Sequence, residues 1–331
     1  MQESFGNEVH IIVDKKPTNS FIYSFCVNLG LTKLIYNHKP LSYNKHQNIF
    51  MYGETVNYEK IINFQQIIIS ILENNKYDYI VVNSQEAFAA ITTIDTQSKV
   101  ILYTHLYKQI YPDSKIHDVF LPAYHRFYSQ FLHFNHVIVG TQSERNKNKL
   151  LEQNIKNVEV LPMPMSETEL LTKSNQHKEG VLFIGRWEVG KNPEQYIKTM
   201  KELQLPCKVM TNKNGEKKFI KAFNENNITN YEIKTGITGK DKVDFIKSCK
   251  VSFNCSLIEN YPFSFLECVG HMPVVVLDTQ DWSDNFEFVH KVNSKDSVSK
   301  IKELYNQSYS DDGLKYVNKL QENSLDIWRK L

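Results

Sequence analysis

The chain is predicted to be an α/β protein in two halves, each a parallel sheet wrapped by helices. Three observations predict this. Short runs rich in Val, Ile and Tyr alternate with helical patterns along the chain. The alternation halts at a polar, proline-containing segment near the middle and then restarts. The length, 331 residues with 41% hydrophobic content, is enough for two packed cores.

In the first half, residues 9–13 read as a strand, 15–20 as a loop, 20–29 as an apolar helix and 32–36 as a second strand. Residues 58–74 place Ile61, Ile62, Phe64, Ile68, Ile69 and Leu72 at helical spacing. Strands at 79–83 and 100–104 follow, then an aromatic-rich helical stretch at 119–134, a strand at 136–139, a helix at 143–153 and a strand at 158–161. Residues 162–180, with Pro162, Pro164, Ser166, Ser174 and Asn175, read as a linker between domains 1–165 and 166–331. The second half reads as strands at 181–184, 207–211, 231–234, 251–254 and 273–277, with helices at 193–203, 217–226 and 239–248 between them. The tail, 314–331, is an amphipathic helix, and in this fold class such a helix often crosses back to the first domain.

Composition narrows the function. The formal net charge is +2 and evenly spread: residues 1–165 hold 15 Lys+Arg against 14 Asp+Glu, leaving 24 against 23. No basic field announces nucleic acid or anionic lipid. No apolar run has the length of a membrane span, and the N-terminus lacks a basic segment followed by a signal-like apolar core, so a cytoplasmic location is expected. The five cysteines form no C-x-x-C pair and have mostly apolar neighbours, which favours buried free thiols over disulfides or zinc. No D-x-D triplet occurs, and no metal ligand set is assigned.

Two segments carry chemistry. The first, residues 256–267, sets Glu259 and Glu267 eight residues apart at a turn, Asn260-Tyr261-Pro262, that runs into an apolar helix. The first backbone amides of that helix, Phe263 to Phe265, are expected to lack partners and to suit an anion. By itself the spacing also fits a helix with one capping and one exposed glutamate. The second segment, residues 181–193, reads as a buried strand, a turn at Gly185, and a helix opening at Pro193. Arg186 offers a planar fork for phosphate oxygens and Lys191 a mobile point charge. Alone, this segment suits a solvated strand-end loop equally well.

Together the two segments resemble the retaining, nucleotide-sugar-dependent glycosyltransferases of GT-B architecture. Glu259, Pro262, Glu267, Pro273 and Val274 match the E-x7-E pattern, and Phe183, Gly185, Arg186 and Lys191 match the phosphate loop. Asn260 and Cys268 replace the common Gly and Ala, and the stretch between Glu267 and Pro273 is one residue short. The resemblance implies two Rossmann-like domains facing across a cleft and a co-substrate, a uridine diphosphate sugar, in place of a bound cofactor. Arg186 and Lys191 would then hold the diphosphate, Glu267 the ribose and Glu259 the transferred sugar, with Gly185, Asn260, Tyr261 and Phe263 lining the donor.

A second resemblance bears on the acceptor. Residues 77–84 and 98–105 are similar to the T-even phage DNA glucosyltransferases, which implies a hydroxymethylated pyrimidine in double-stranded phage DNA and a location in the host cytoplasm. One departure points toward retention: His105 stands where the phage enzymes have an aspartate, and retaining relatives commonly place histidine there. A strand-end histidine also serves as an ordinary hydrogen-bonded residue. Arg126, Arg145, Lys147 and Lys149 are the candidate acceptor contacts. His117, His125, His133 and His136 cluster with aromatic residues that suit either base stacking or the buried stripe of a helix. A surface-glycan acceptor and a catalytically silent binding subunit are the competing readings.

Overall fold

The computed structural model describes residues 10–13, 33–36, 48–51, 54–57, 66, 68–70, 72–74, 76–82, 98–103, 137–152, 155–165, 167–174, 176–257, 259, 262–278, 283–284 and 286–330. The chain divides into two compact units, Met1–Met163 with Ile327–Arg329 and Leu331, and Pro164–Asp326 with Lys330.

In the first unit β1 (His10–Val13) pairs in parallel with β2 (Lys33–Tyr36). An antiparallel pair, β3 (Asn48–Met51) and β4 (Glu54–Asn57), interrupts the alternation expected from the sequence. Two residues separate these strands and one is Gly53, the spacing of a two-residue hairpin. The run Ile49-Phe50-Met51 lacks the polar alternation that marks a half-buried strand, which is why the pattern is hard to see.

Four parallel strands follow in the order β5 (Tyr79–Val82), β6 (Lys99–Tyr103), β7 (Val137–Thr141), β8 (Val158–Val160). Val82, Val100, Leu102, Val137 and Val139 pack with Ile68 and Leu150. Helix α1 (Glu144–Leu151) leaves β7 with Ser143 as its N-cap, whose hydroxyl accepts the Asn146 amide at 3.3 Å. Within this unit the Trp328 indole donates to the Pro162 carbonyl at 2.9 Å. The helices expected at 20–29 and 119–134, with their histidine and aromatic cluster, lie outside the described residues.

The second unit is one six-stranded parallel sheet. Its order is β11 (Tyr231–Thr235), β10 (Cys207–Thr211), β9 (Val181–Ile184), β12 (Val251–Asn254), β13 (Val274–Leu277), β14 (Val289–Val292). Helices α2 (Pro193–Leu203), α3 (Lys213–Glu225), α4 (Gly239–Lys247), α5 (Phe263–Val269), α6 (Ser297–Tyr305) and α7 (Asp312–Arg329) connect and cover it. Strand β9 feeds both cores: Val181 and Phe183 join Tyr196, Phe219 and Phe253 on one face, while Leu182 joins Phe265, Val274 and Val276 on the other. Burial on both faces explains the nearly unbroken apolar runs of these strands. Helix α3 starts at Lys213 rather than 217, because Asn212 caps it by accepting the Gly215 amide at 2.7 Å. Gly215, a poor helix former, hides that start in the sequence. Strand β14 and α6 fall where the sequence pattern assigned nothing.

The segment 162–180 is not a slack connection. It contains a 3-10 turn, Thr168–Leu171, with Leu170 buried. Lys247 Nζ donates to the Glu169 carbonyl at 2.6 Å and lies 3.1 Å from Thr172 Oγ1. Lys178 Nζ donates to the His271 carbonyl, and His271 Nε2 lies 2.8 Å from the Leu170 carbonyl, so Nε2 carries the proton. Cys207, Cys249, Cys255 and Cys268 are free and buried, and burial raises the thiols of Cys207 and Cys249 to about 12. They are inert thiols.

His271 gives the fold a pH signature. Burial lowers its pKa to about 4, with the Leu170 hydrogen bond opposing and Lys247 and Lys178 adding to the effect. Its folded pKa lies below the unfolded value, so the stabilisation is full above about pH 6.5 and is lost as pH falls toward 4, about 3 kcal/mol in all. His271→Gln keeps an N–H donor without the titration. Urea unfolding should show wild type losing about that much more than His271→Gln over this window; parallel curves would refute the assignment.

Candidate active site

Strand order reverses between β9 and β12: the chain runs from β9 outward through β10 to β11, then returns to β12 on the other side and continues to β13 and β14. In an open parallel sheet such a switch point leaves a crevice at the carboxyl ends of the two strands. Both chemistry-bearing segments of the sequence emerge there, residues 185–192 after β9 and residues 255–257 after β12.

Each turn of the first loop has a local cause. The Gly185 amide donates to the Met210 carbonyl at 3.0 Å, and a Cβ at Gly185 would come 3.2 Å from Lys191 Cγ and 3.3 Å from the Phe183 ring. A larger residue would therefore crowd the lysine stem against the strand end. Trp187 packs edge-on against Phe219, ring centroids 4.7 Å apart, and anchors the middle of the loop. Its neighbours turn outward: Arg186 is exposed and its Nη2 lies 3.3 Å from Glu188 Oε1. A 3-10 turn, Val189–Lys191, ends at Asn192 with φ of 51°, and Pro193 opens α2.

The second loop is fastened to the first. The Leu257 amide donates to the Gly190 carbonyl at 2.8 Å, and Cys255 Sγ lies 3.2 Å from the Asn192 carbonyl. These bonds bring Lys191 Nζ onto Glu259 Oε1, a pair separated by 68 residues and largely shielded from solvent. The lysine has two further N–H donors and the glutamate a second oxygen. Such a pair suits a ligand that brings both an anion and hydroxyl groups.

The structure thus brings Gly185, Lys191 and Glu259 together, with Arg186 on the same loop. Glu267 occupies a separate setting inside α5. It is 8% exposed, Lys242 Nζ of α4 lies 2.5 Å from its Oε1, and the same ammonium is 3.4 Å from Glu167 Oε1. Burial raises the Glu267 pKa, with Lys242 opposing. Lys242 is pulled down by burial, but Glu267 and Glu167 outweigh this and hold it raised. Sequence reasoning missed Lys242 and Glu167. Three segments far apart in the chain meet here, and Glu167 lies in the stretch that reads as linker.

One expectation is corrected. The amides of Phe263 to Phe265 do not all lie open: Phe265 donates to the Pro262 carbonyl at 3.0 Å. Pro262 supplies a carbonyl one turn back and closes the turn. Arg145, Lys147 and Lys149 share α1, where Lys147 lies 3.7 Å from Glu159. His105, Arg126, Asn260 and Tyr261 lie outside the described residues. Among the described residues, no group of His, Cys, Asp and Glu is placed to hold a metal, and no helix is long and apolar enough to cross a membrane.

The architecture is that of the GT-B glycosyltransferases. A structure described as trehalose-6-phosphate from E. coli bound with UDP-2-fluoro glucose aligns with a TM-score of 0.70 at 8% identity, covering 98% of this chain and 97% of that one. A trehalose-6-phosphate synthase studied for glycosyl transfer with retention aligns at 0.65 and 10% identity, covering 95% and 82%. TarM of S. aureus, in complex with Fondaparinux, alpha-GlcNAc-glycerol and UDP, aligns at 0.61 and 15% identity, covering 79% of this chain. The chain spans 55% of the length of that TarM. No protein-family model and no curated protein sequence matches the chain.

The Lys191–Glu259 contact is testable. A double-mutant cycle of Lys191→Met and Glu259→Gln in urea unfolding should return a coupling of about 0.5–3 kcal/mol. Strict additivity would mean that the backbone bonds alone hold the two loops together.

Proposed function

We propose that the chain is a retaining glycosyltransferase that moves a sugar from a uridine diphosphate donor to an acceptor hydroxyl. The observation that carries this reading is the meeting of Lys191 and Glu259 at the switch point, with Arg186 on the same loop. In such a transfer the bond from the anomeric carbon to the β-phosphate oxygen breaks, and its electron pair stays with the diphosphate. Arg186 and Lys191 would stabilise that growing charge. The acceptor proton passes to the departing phosphate in a front-face reaction, so retention needs no side-chain base. Glu259 would hold the sugar, Glu267 the ribose and His105 the sugar or acceptor side, with residues 1–165 serving the acceptor and 166–331 the donor. The ligands in the neighbouring structures, UDP-2-fluoro glucose and UDP, support the donor class. Arg186→Ala should cost about 2–4 kcal/mol of transition-state stabilisation, read from kcat/KM, with the fold intact. Unchanged turnover would sink the phosphate role.

For the acceptor we favour a saccharide or polyol hydroxyl over a hydroxymethylpyrimidine in duplex DNA. The net charge is only +2, and Lys147 of the candidate acceptor contacts is already near Glu159. The TarM complex holds alpha-GlcNAc-glycerol. A DNA enzyme must neutralise several phosphates, so its affinity falls steeply with salt. Duplex binding should therefore be undetectable or insensitive to salt between 50 and 200 mM, a range over which a true DNA binder loses about a thousandfold or more. Tight, steeply salt-dependent binding with transfer to hydroxymethylated DNA would restore the DNA reading.

A further inference from the structure

We infer that Lys242 is a specificity-determining positioning residue: it holds Glu267 as an aimed carboxylate for the donor's ribose hydroxyls without itself touching the nucleotide. This rests on the ribose role proposed for Glu267.

The argument begins with burial. Glu267 sits inside α5 at 8% exposure, among Phe265, Leu266 and Cys268. A carboxyl group so placed and left alone takes up a proton, and the protonated acid gives up acceptor capacity. Two vicinal hydroxyls are donors, and an ionised carboxylate accepts from them more strongly than the protonated acid does. The groups facing Glu267 from other elements are Lys242 of α4 at 2.5 Å and, through the same ammonium, Glu167 ahead of the 3-10 turn. Lys242 occupies Oε1 and thereby fixes the plane of the carboxylate, leaving Oε2 for a ligand. Two carboxylates against one ammonium leave the cluster negative, which favours hydroxyl donors and repels phosphate. The same cluster is poor evidence for a stability role, because a buried ion pair returns little net stability over an apolar trio of similar volume.

The experiment is calorimetry with UDP and 2′-deoxy-UDP on the full chain. Wild type should prefer UDP by roughly ten- to hundredfold, the effect of one hydrogen bond to a charged group. Lys242→Met should cut that preference to about threefold or less while the affinity for 2′-deoxy-UDP stays within about threefold. Lys242→Arg should restore at least part of the preference. Glu167→Gln should leave it intact, since it frees Lys242 for Glu267 alone, and Lys242→Gln replaces Lys242→Met if that variant does not fold, with the same loss of preference expected. Loss of preference in Glu167→Gln as well would make the trio a packing unit and overturn the inference. Glu267→Gln separates the two levels. If it keeps the preference, the ribose role itself fails. If it loses the preference while Lys242→Met keeps it, only the role of Lys242 fails.

Discussion

The reversal of strand order between β9 and β12 is the constraint on which the rest of the second unit depends. Parallel strands need crossover helices, and those helices must diverge where the order turns back, so the ends of β9 and β12 are left without a helix packed across them. Any loop leaving those two strands enters the crevice. Gly185 and Cys255 each sit one residue past a strand end, and the loop residues next to them in the chain become the wall of the site. The topology selects which residues meet; the side chains decide what they do there.

Charge is handled in two ways within this unit. Lys191 and Glu259 lie on loops, partly shielded, with donor and acceptor capacity left over. Glu267 and Lys242 lie on helices under cover, with Glu167 sharing the ammonium. The first pair joins two loops, whereas the second is held within helix packing. Burial costs the second cluster desolvation that its Coulomb attraction offsets only in part.

Much of the second unit was legible because its strands are buried on both faces and therefore read as apolar runs between helical patterns. Strand β9, α2, β10 and β12 begin and end within a residue of the sequence reading. What escaped has physical reasons. The hairpin β3–β4 is four residues a side and its apolar run does not alternate. Helix α3 begins on a glycine-containing turn, and α6 follows a strand, β14, that is only partly buried. The segment 162–180 looks polar because its backbone carbonyls, rather than apolar side chains, take up Lys247 and His271. In the candidate site, the loop after β9 was legible from Gly185, Arg186 and Lys191, whose order within one segment is itself the signal. Lys242 was not: nothing local distinguishes it from Lys240, whose ammonium pairs on the surface with Asp244.

The contrast between Lys240 and Lys242 shows how the helix frame assigns roles. Two residues apart on α4, they stand about 200° apart around the axis. One therefore faces solvent, and the other faces the neighbouring α5. Lys240 supports the first turn of its own helix through an exposed i,i+4 pair with Asp244. Lys242 instead reaches across to the buried carboxylate of Glu267. Shifting α4 by a single residue would exchange neither role cleanly: it would leave Glu267 without its cation and turn an ammonium toward the apolar face that Val243 and Ile246 now cover. The register of α4, set where Gly239 opens the helix at φ of 55°, is therefore a condition for Lys242 to meet Glu267.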